Sequence, residues 1–367
     1  MRVALVHEFL VTWGGSDLVV QKFAEIYPDA PIYTALYDRG AMGSRFPGRV
    51  IKTSFLQRIP CAARRHRLLM PFFPLAFEGF DLSGYDLVLS SHHMAAKGVI
   101  TAPRTCHVCF VHTPMRYAWD MYHDFVGRQR RVLRFPMRVL FHYLRGWDVA
   151  TAGRVDYFIA NSRNVANRIA KYYRRDAVVV HSPVEASRFF TGAGVDDYYL
   201  AAGRLVRYKR IDLAVEAFNR LGRRLVIAGA GPETGRLRGP AKGNVEFRGF
   251  VSDEELAGLY SRCRGFIFPG EEDFGITPLE AQASGRPVIA YRAGGALETV
   301  VEGETGVFFD EQTPESLMRA VEAADGVRFD PERIRAHALG FDVAVFKEKI
   351  GNFVEEKMKE WKGKTGI

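Results

Sequence analysis

The sequence predicts an α/β protein of two doubly wound, Rossmann-like parallel sheets. Short β-branched runs bounded by turn residues alternate with segments of helical period along the whole chain, the pattern of parallel strands joined by crossover helices. The 367 residues are enough for two domains, each with its own core. The charge balance also changes sign at a Gly-rich, acidic stretch, Thr191 to Asp197, which marks a boundary between them.

In the first domain, residues 1–190, strands are expected at Arg2 to Glu8, Ile32 to Leu36, Asp86 to Ser91, His107 to His112, Tyr157 to Ala160 and Val178 to His181. Helices fall between them, among them Asp17 to Tyr27 and Arg163 to Tyr173, the latter with Ser162 as its N-cap. In the second domain, residues 191–344, strands are expected at Tyr198 to Ala202, Leu225 to Ala228, Val245 to Phe247, Gly265 to Phe268, Pro287 to Ala290 and Gly306 to Phe309. Its helices carry start signals: Ser252-Asp253-Glu254-Glu255 reads as a capping box, and Thr313-Pro314 as N-cap plus first helical residue. A last helix, about 345–367, is expected to pack back on the first domain. Two such sheets in tandem place a cleft between the carboxyl ends of their strands, where ligands of this architecture bind.

Composition excludes several classes. With 47% hydrophobic and 25% charged residues the chain is neither disordered nor fibrous. No apolar run approaches the roughly 20 residues of a membrane-spanning helix, and the longest, Leu68 to Phe77, is broken by Pro71 and Pro74. The N-terminal MRVALVHEFL reads as a buried strand and not as a secretory signal, so a cytoplasmic protein is expected. Four scattered cysteines fit a reducing compartment. Cys106 and Cys109, with His112 nearby, lack a fourth ligand at zinc spacing and read as core thiols. Residues 1–190 hold 26 Lys and Arg against 14 Asp and Glu, whereas the remainder hold 25 against 28. A basic first half suits nucleic acid, an anionic membrane or a phosphorylated substrate, and does not choose among them.

The most informative stretch runs from Pro269 to Ala281, after the strand GFIF. Thr277-Pro278 is expected to open the helix, which leaves Glu272 on the loop and Glu280 at the third helical position. The loop and helix N-terminus offer free N–H groups and the positive dipole end to a phosphate. Thr277 and Glu280 also fit a capping box, a purely structural role. Arg204, at the end of the second domain's first strand, and Lys209, just before the helix Ile211 to Leu221, bring two cations toward the same place. Together they suit a diphosphate leaving group. Gly229-Ala-Gly231-Pro-Glu233 lacks the third glycine of a dinucleotide fingerprint and is a weak signal of close backbone approach. In the first domain, Gly14-Gly15-Ser16 leads into a helix where backbone can approach a ligand, or forms a plain tight turn. Pro114 turns the chain and leaves His112 at a strand's carboxyl end, a packed residue if alone and a functional one if it converges with the rest.

On these motifs the chain resembles the retaining glycosyltransferases of family 4, which have the two-domain GT-B fold. The resemblance rests on GRLVRYKRIDLAVEAF, VEFRGFVSDEEL, the E-x7-E stretch EDFGITPLEAQASGRPVIA, and AGGALETVVEGETGVFF. The segment CFVHTPMRYAWDMY further resembles mannosyltransferases that build lipid-linked polysaccharide or O-antigen chains from GDP-mannose. The resemblance implies that Glu280 holds the ribose and Glu272 the sugar hydroxyls. It implies that Arg204 and Lys209 bind the diphosphate, with backbone from Phe274 through Gly275 and Ile276 to Thr277 helping at phosphate and sugar. It places Gly15 at the diphosphate, His112 at the reacting sugar and Val251 beside the base. Gln282 stands where many members have Met, a change expected to matter little to packing.

The expected activity is retaining transfer of a hexose, mannose from GDP-mannose, to a hydroxyl of a lipid-linked glycan. No Asp-x-Asp marks a metal carrier, so neither metal nor cofactor is expected. The alternatives are a sugar-nucleotide epimerase or hydrolase of the same fold, and a non-catalytic basic protein binding nucleic acid or anionic lipid. Under the first reading the partners are a nucleotide sugar, a lipid-linked glycan and an anionic bilayer, with no nucleic acid. Arg128 to Trp147 and Arg58 to Phe77 mix arginines with apolar residues and suit peripheral docking on the cytoplasmic face of a membrane, although Pro136 is expected to interrupt a single helix in the first of them.

Overall fold

The structure is a computed structural model that describes residues 1–366. The chain divides into two compact units, one formed by Met1–His181 with the chain from Lys347 onward, the other by Ser182–Phe346. The first carries a seven-stranded sheet of β1 (Val3–His7), β2 (Ile32–Thr34), β3 (Ile51–Thr53), β4 (Leu87–His92), β5 (Cys106–Val111), β6 (Tyr157–Ala160) and β7 (Ala177–Val179). Every pairing is parallel, in the order β3-β2-β1-β4-β5-β6-β7. The second carries β8 (Tyr199–Ala202), β9 (Leu225–Ala228), β10 (Val245–Gly249), β11 (Phe266–Phe268), β12 (Val288–Tyr291) and β13 (Gly306–Phe309). It is parallel too, in the order β10-β9-β8-β11-β12-β13. These are two Rossmann-type parallel sheets.

Helices cover both faces of each sheet, so central strands read as near-continuous apolar runs; VALVH of β1 is buried throughout. In each unit the strand order reverses once, between β1 and β4 in the first and between β8 and β11 in the second. The carboxyl ends of these neighbouring strands are where doubly wound sheets bind ligands. The N-caps read from sequence are present: Ser162, Ser252 and Thr313 accept the N–H of Val165, Glu255 and Ser316.

Four expectations are corrected. Edge strand β3 was not foreseen; it has three half-exposed or exposed residues, one a lysine, too short to show alternation. The boundary falls at His181/Ser182 and not at 190/191, because Ser182 to Phe190 packs on the second unit. There the Val184 N–H donates to the Phe341 carbonyl (2.9 Å), the Ala186 N–H to Asp342 Oδ1 (3.1 Å), and Phe189 meets Tyr260 edge to face. The final helix starts at Val343, inside the second unit, and the chain joins the first only from Lys347. Finally, Pro136 does not break its helix, which runs from Arg131 to Ala152. Pro136 is its sixth residue and exposed, so it costs only one internal hydrogen bond near a terminus. No helix among the described residues is long and apolar enough to cross a membrane.

Candidate functional site

In the second unit the chain leaves β8 at Gly203-Arg204, makes a short turn over Arg207–Lys209, and enters the helix Ile211–Leu221. Arg210 sits between them with φ of 51°, a left-handed conformation held by its guanidinium on Gln312 (2.9 Å), whose own amide donates to the Pro269 carbonyl (3.1 Å). Lys209 is thereby delivered to the loop that follows β11. Its Nζ lies 2.7 Å from Glu272 Oε1, and both side chains are largely buried. Burial acts to lower the Lys209 pKa, but Glu272, with Tyr208 and Glu280, outweighs it and holds the ammonium above its ordinary value. Arg204 is exposed, and its side chain has no hydrogen-bond or ion-pair partner among the described residues.

The Glu272 loop is shaped by backbone packing. The Gly295 N–H donates to the Glu272 carbonyl (2.9 Å), and a Cβ on Gly295 would stand 2.2 Å from the Phe274 carbonyl oxygen. Only glycine permits that approach. The Gly229-x-Gly231 segment proves to be a similar device: added Cβ atoms would stand 2.0 Å and 2.2 Å from the carbonyl oxygens of Gly203 and Leu205. The close approach read from sequence is therefore to the protein's own turn.

The helix after this loop is Ile276–Ala283, and its N-cap is Gly275, with no capping side chain. This corrects the start at Thr277-Pro278: Glu280 is the fifth helical residue, not the third, too far along to cap. Glu280 Oε2 instead accepts the Tyr260 hydroxyl at 3.0 Å. Burial raises the Glu280 pKa, against the lowering effect of Tyr260, Arg188 and Lys209. Thr277 Oγ1 is buried with no hydrogen-bond partner. The helix thus begins with first-turn N–H groups uncapped and a hydroxyl unsatisfied, four residues after the lysine-paired Glu272, a setting that suits an anion.

Val251 is half-buried and packs, like Ile276, against the core cluster that holds Phe268 and Phe274. Gln282 is fully buried; its amide donates to the Thr299 carbonyl (2.7 Å) while Oε1 has no partner, so the position is polar and not the simple packing site expected.

In the first unit, Gly15 is the exposed first residue of the helix Gly15–Ile26, after an extended Gly14, and Asp17 lies in its first turn. His112 directly follows β5, and its Nε2 lies 2.8 Å from Ser91 Oγ. Ser91 in turn lies 3.1 Å from His7 Nδ1, and His7 Nε2 lies 3.3 Å from Asp17 Oδ1. His93 packs edge-on against His7 and His112. Burial pushes the His112 pKa well below its ordinary value, and the neighbouring histidines push the same way. Sequence reasoning found His112 and missed His7, Ser91 and His93, although all sit at carboxyl ends of β1 and β4, the same signal that singled out His112. It also missed Glu8, fully buried, whose carboxylate accepts the N–H groups of His93, Met94, Ala95 and Ala96. Cys106 and Cys109 are buried, burial pushing both thiols up to about 12. No group of three or more His, Cys, Asp or Glu among the described residues could hold a metal ion.

Residues 184–324 match the family described as Glycosyl transferases group 1. The matched stretch lies within the second unit, Ser182–Phe346. Among curated relatives, the chain is 28% identical over 190 residues to O-antigen chain mannosyltransferase C of Escherichia coli, covering 47% of this chain and 49% of that one. It is 30% identical over 207 residues to the GDP-mannose-dependent alpha-(1-6)-phosphatidylinositol monomannoside mannosyltransferase of Mycolicibacterium smegmatis, covering 48% and 53%. The chain thus spans about half the length of the curated relatives it matches. Over its whole length the fold is similar to HepE of Anabaena in complex with UDP, with TM-score 0.70 at 17% identity, covering 97% of this chain and 100% of that one. It is similar too to sucrose-phosphate synthase of Thermosynechococcus elongatus, with TM-score 0.74 at 16% identity, covering 98% and 100%.

Proposed function

We propose that this protein transfers a hexose, mannose from GDP-mannose, to a hydroxyl of a lipid-linked glycan, with retention of configuration and without a metal ion. The observation that carries the reading is the Lys209–Glu272 pair, with Glu272 on the loop that leads into an uncapped helix N-terminus, at the strand-order reversal of the unit that matches glycosyl transferases group 1. The names of the two mannosyltransferase relatives support the choice of sugar and donor.

In this reading Arg204, Lys209 and the Ile276 and Thr277 N–H groups take the diphosphate, and their fixed charge and dipole stabilise it as it leaves. Lys209 has three N–H donors and gives one to Glu272, which leaves two for phosphate oxygens. Glu272 orients sugar hydroxyls, Glu280 the ribose hydroxyls, Val251 lies at the base, Gly15 approaches the diphosphate and His112 serves the sugar. The acceptor oxygen bonds to the anomeric carbon on the face from which the diphosphate departs, and the acceptor proton passes to the departing oxygen. The first unit would meet an anionic bilayer through its exposed arginines and apolar residues of Arg131–Ala152, where a lipid-linked acceptor resides.

A thermal-shift panel of GDP, UDP, ADP and dTDP, with and without their sugars, tests the donor, since a ligand binding only the folded chain at 100 times its Kd adds about 2.7 kcal/mol. GDP and GDP-mannose are expected to raise the melting temperature most. Stabilisation by UDP alone would overturn the donor, and no response to any nucleotide would overturn the transferase reading. Mannose transfer that survives EDTA is the accompanying expectation.

A further inference from the structure

The inference deepens the proposed function and rests on His112 serving the sugar. We infer that Asp17, acting through His7 and Ser91, fixes His112 in the tautomer that carries its proton on Nε2, so that Nδ1 is a hydrogen-bond acceptor for a substrate hydroxyl. Asp17, His7 and Ser91 are positioning residues; none needs to touch substrate.

The direction of the chain follows from what each group can give. A carboxylate accepts and does not donate, so Asp17 Oδ1, 3.3 Å from His7 Nε2, takes its hydrogen bond from an Nε2–H. A singly protonated His7 then has a bare Nδ1, which must accept the Ser91 hydroxyl at 3.1 Å. With its own hydrogen committed there, Ser91 Oγ accepts at 2.8 Å from His112 Nε2–H. Asp17 and Ser91 are buried and His7 is 1% exposed, so water does not compete for the first two links; the third is buried at Ser91 and half-buried at His112. Asp17 is itself fixed by its place in the first turn of the helix Gly15–Ile26, where the dipole favours a carboxylate. Burial keeps His112 neutral, as single protonation requires. Its Nδ1 has no partner among the described residues. The Gly14-Gly15 turn and His112, found separately in the sequence, are thus joined by one hydrogen-bonded chain.

The chain can be reversed. In Asp17→Asn the side-chain amide can donate to His7 Nε2; His7 Nδ1–H then donates to Ser91, Ser91 donates to His112 Nε2, and the His112 proton moves to Nδ1. The experiment is 15N–1H correlation NMR on protein labelled at histidine, with His112→Gln used to assign the His112 signals, alongside steady-state transfer kinetics. In the unmutated protein His112 is expected as the Nε2–H tautomer; finding it as Nδ1–H, or His7 doubly protonated, overturns the inference whether or not any variant folds. In Asp17→Asn the His112 signals are expected to switch tautomer, and kcat to fall roughly ten- to a hundredfold as a donor replaces an acceptor at the substrate, with little change in the KM of the donor. An unchanged tautomer in a folded Asp17→Asn overturns it, as does a switched tautomer with unchanged kcat. Ser91→Ala should uncouple the two histidines, so that Asp17→Asn added to it no longer changes His112. Should the tautomer pattern appear and switch in a protein that transfers no sugar, the hydrogen-bond chain stands and it is the transferase reading that fails.

Discussion

Lys209 Nζ lies 2.7 Å from Glu272 Oε1, so the cation expected to hold a diphosphate and the carboxylate expected to hold the sugar are partners of one another. The glutamate helps keep the lysine charged, while its negative charge opposes any phosphate placed beside it. Removing the two residues should therefore have opposite effects on nucleotide affinity. Lys209→Ala is expected to weaken nucleoside diphosphate binding and to lower the transfer rate roughly 10² or more, as when a leaving group loses a preorganised charge. Glu272→Ala is expected to abolish transfer while nucleotide affinity holds or rises. Calorimetric titration of both variants decides the matter, since an equal loss of affinity in each would reduce the pair to a structural bridge.

Glu280→Ala tests the ribose-binding role through nucleotide affinity. Because Gly275 and not Thr277 caps the helix, no cap is lost with Glu280, and the pKa shift shows that burial disfavours its charge. Nucleotide affinity is expected to fall at least about tenfold, near 1.4 kcal/mol. Stability should fall as well, by about 1–3 kcal/mol, because the buried Tyr260 hydroxyl loses its acceptor. Retained affinity would instead leave Glu280 with only a structural role, as the acceptor of the Tyr260 hydroxyl.

Stability should decline on mild acidification. His92, His93, His107 and His112 all have pKa values lowered by burial, His107 to about 4 from 6.5. A histidine whose folded value lies below its unfolded one is bound by a proton first in the unfolded chain. Its contribution is complete above pH 6.5 and drains away as pH falls toward the folded value, for His107 about 3 kcal/mol in all. The raised carboxyl of Glu280 works in the opposite sense. Urea unfolding between pH 7 and 5 should show stability falling by at least about 1.4 kcal/mol per pH unit below 6.5. A flat profile over that range would contradict the buried neutral histidines.

Association with membranes is tested on Arg130, Arg131 and Arg138. Arg134 is spared because its guanidinium is committed to the carbonyls of Gly127 (2.7 Å) and Gln129 (3.0 Å). The same helix exposes Val132 (78%) and Phe135 (73%), an apolar and basic face together. The protein is expected to sediment with anionic vesicles at low salt and to be released at high salt. Replacing the three arginines with Ser should weaken that association and leave nucleotide affinity intact. Equal sedimentation with neutral and anionic vesicles, or with neither, would make this an ordinary solvated face.

The sequence by itself determined the two parallel sheets, because strands buried on both faces must be apolar runs and crossover helices must show a 3.6-residue period. It determined the Ser162, Ser252 and Thr313 caps, which are local in the chain. It also singled out Glu272, Glu280, Arg204, Lys209 and His112, since residues just past strand ends are defined by chain order alone. Tertiary structure decided who partners whom. That Glu280 meets Tyr260 and not a backbone cap, that Lys209 meets Glu272, and that Gly229 and Gly231 close on the turn at Gly203 to Leu205 all depend on which strands lie side by side. The hydrogen-bonded chain from Asp17 to His112 is the clearest case. Its four residues come from a helix start, β1, β4 and the end of β5, up to 105 positions apart along the chain, and only the β1–β4–β5 pairing brings them within hydrogen-bonding distance.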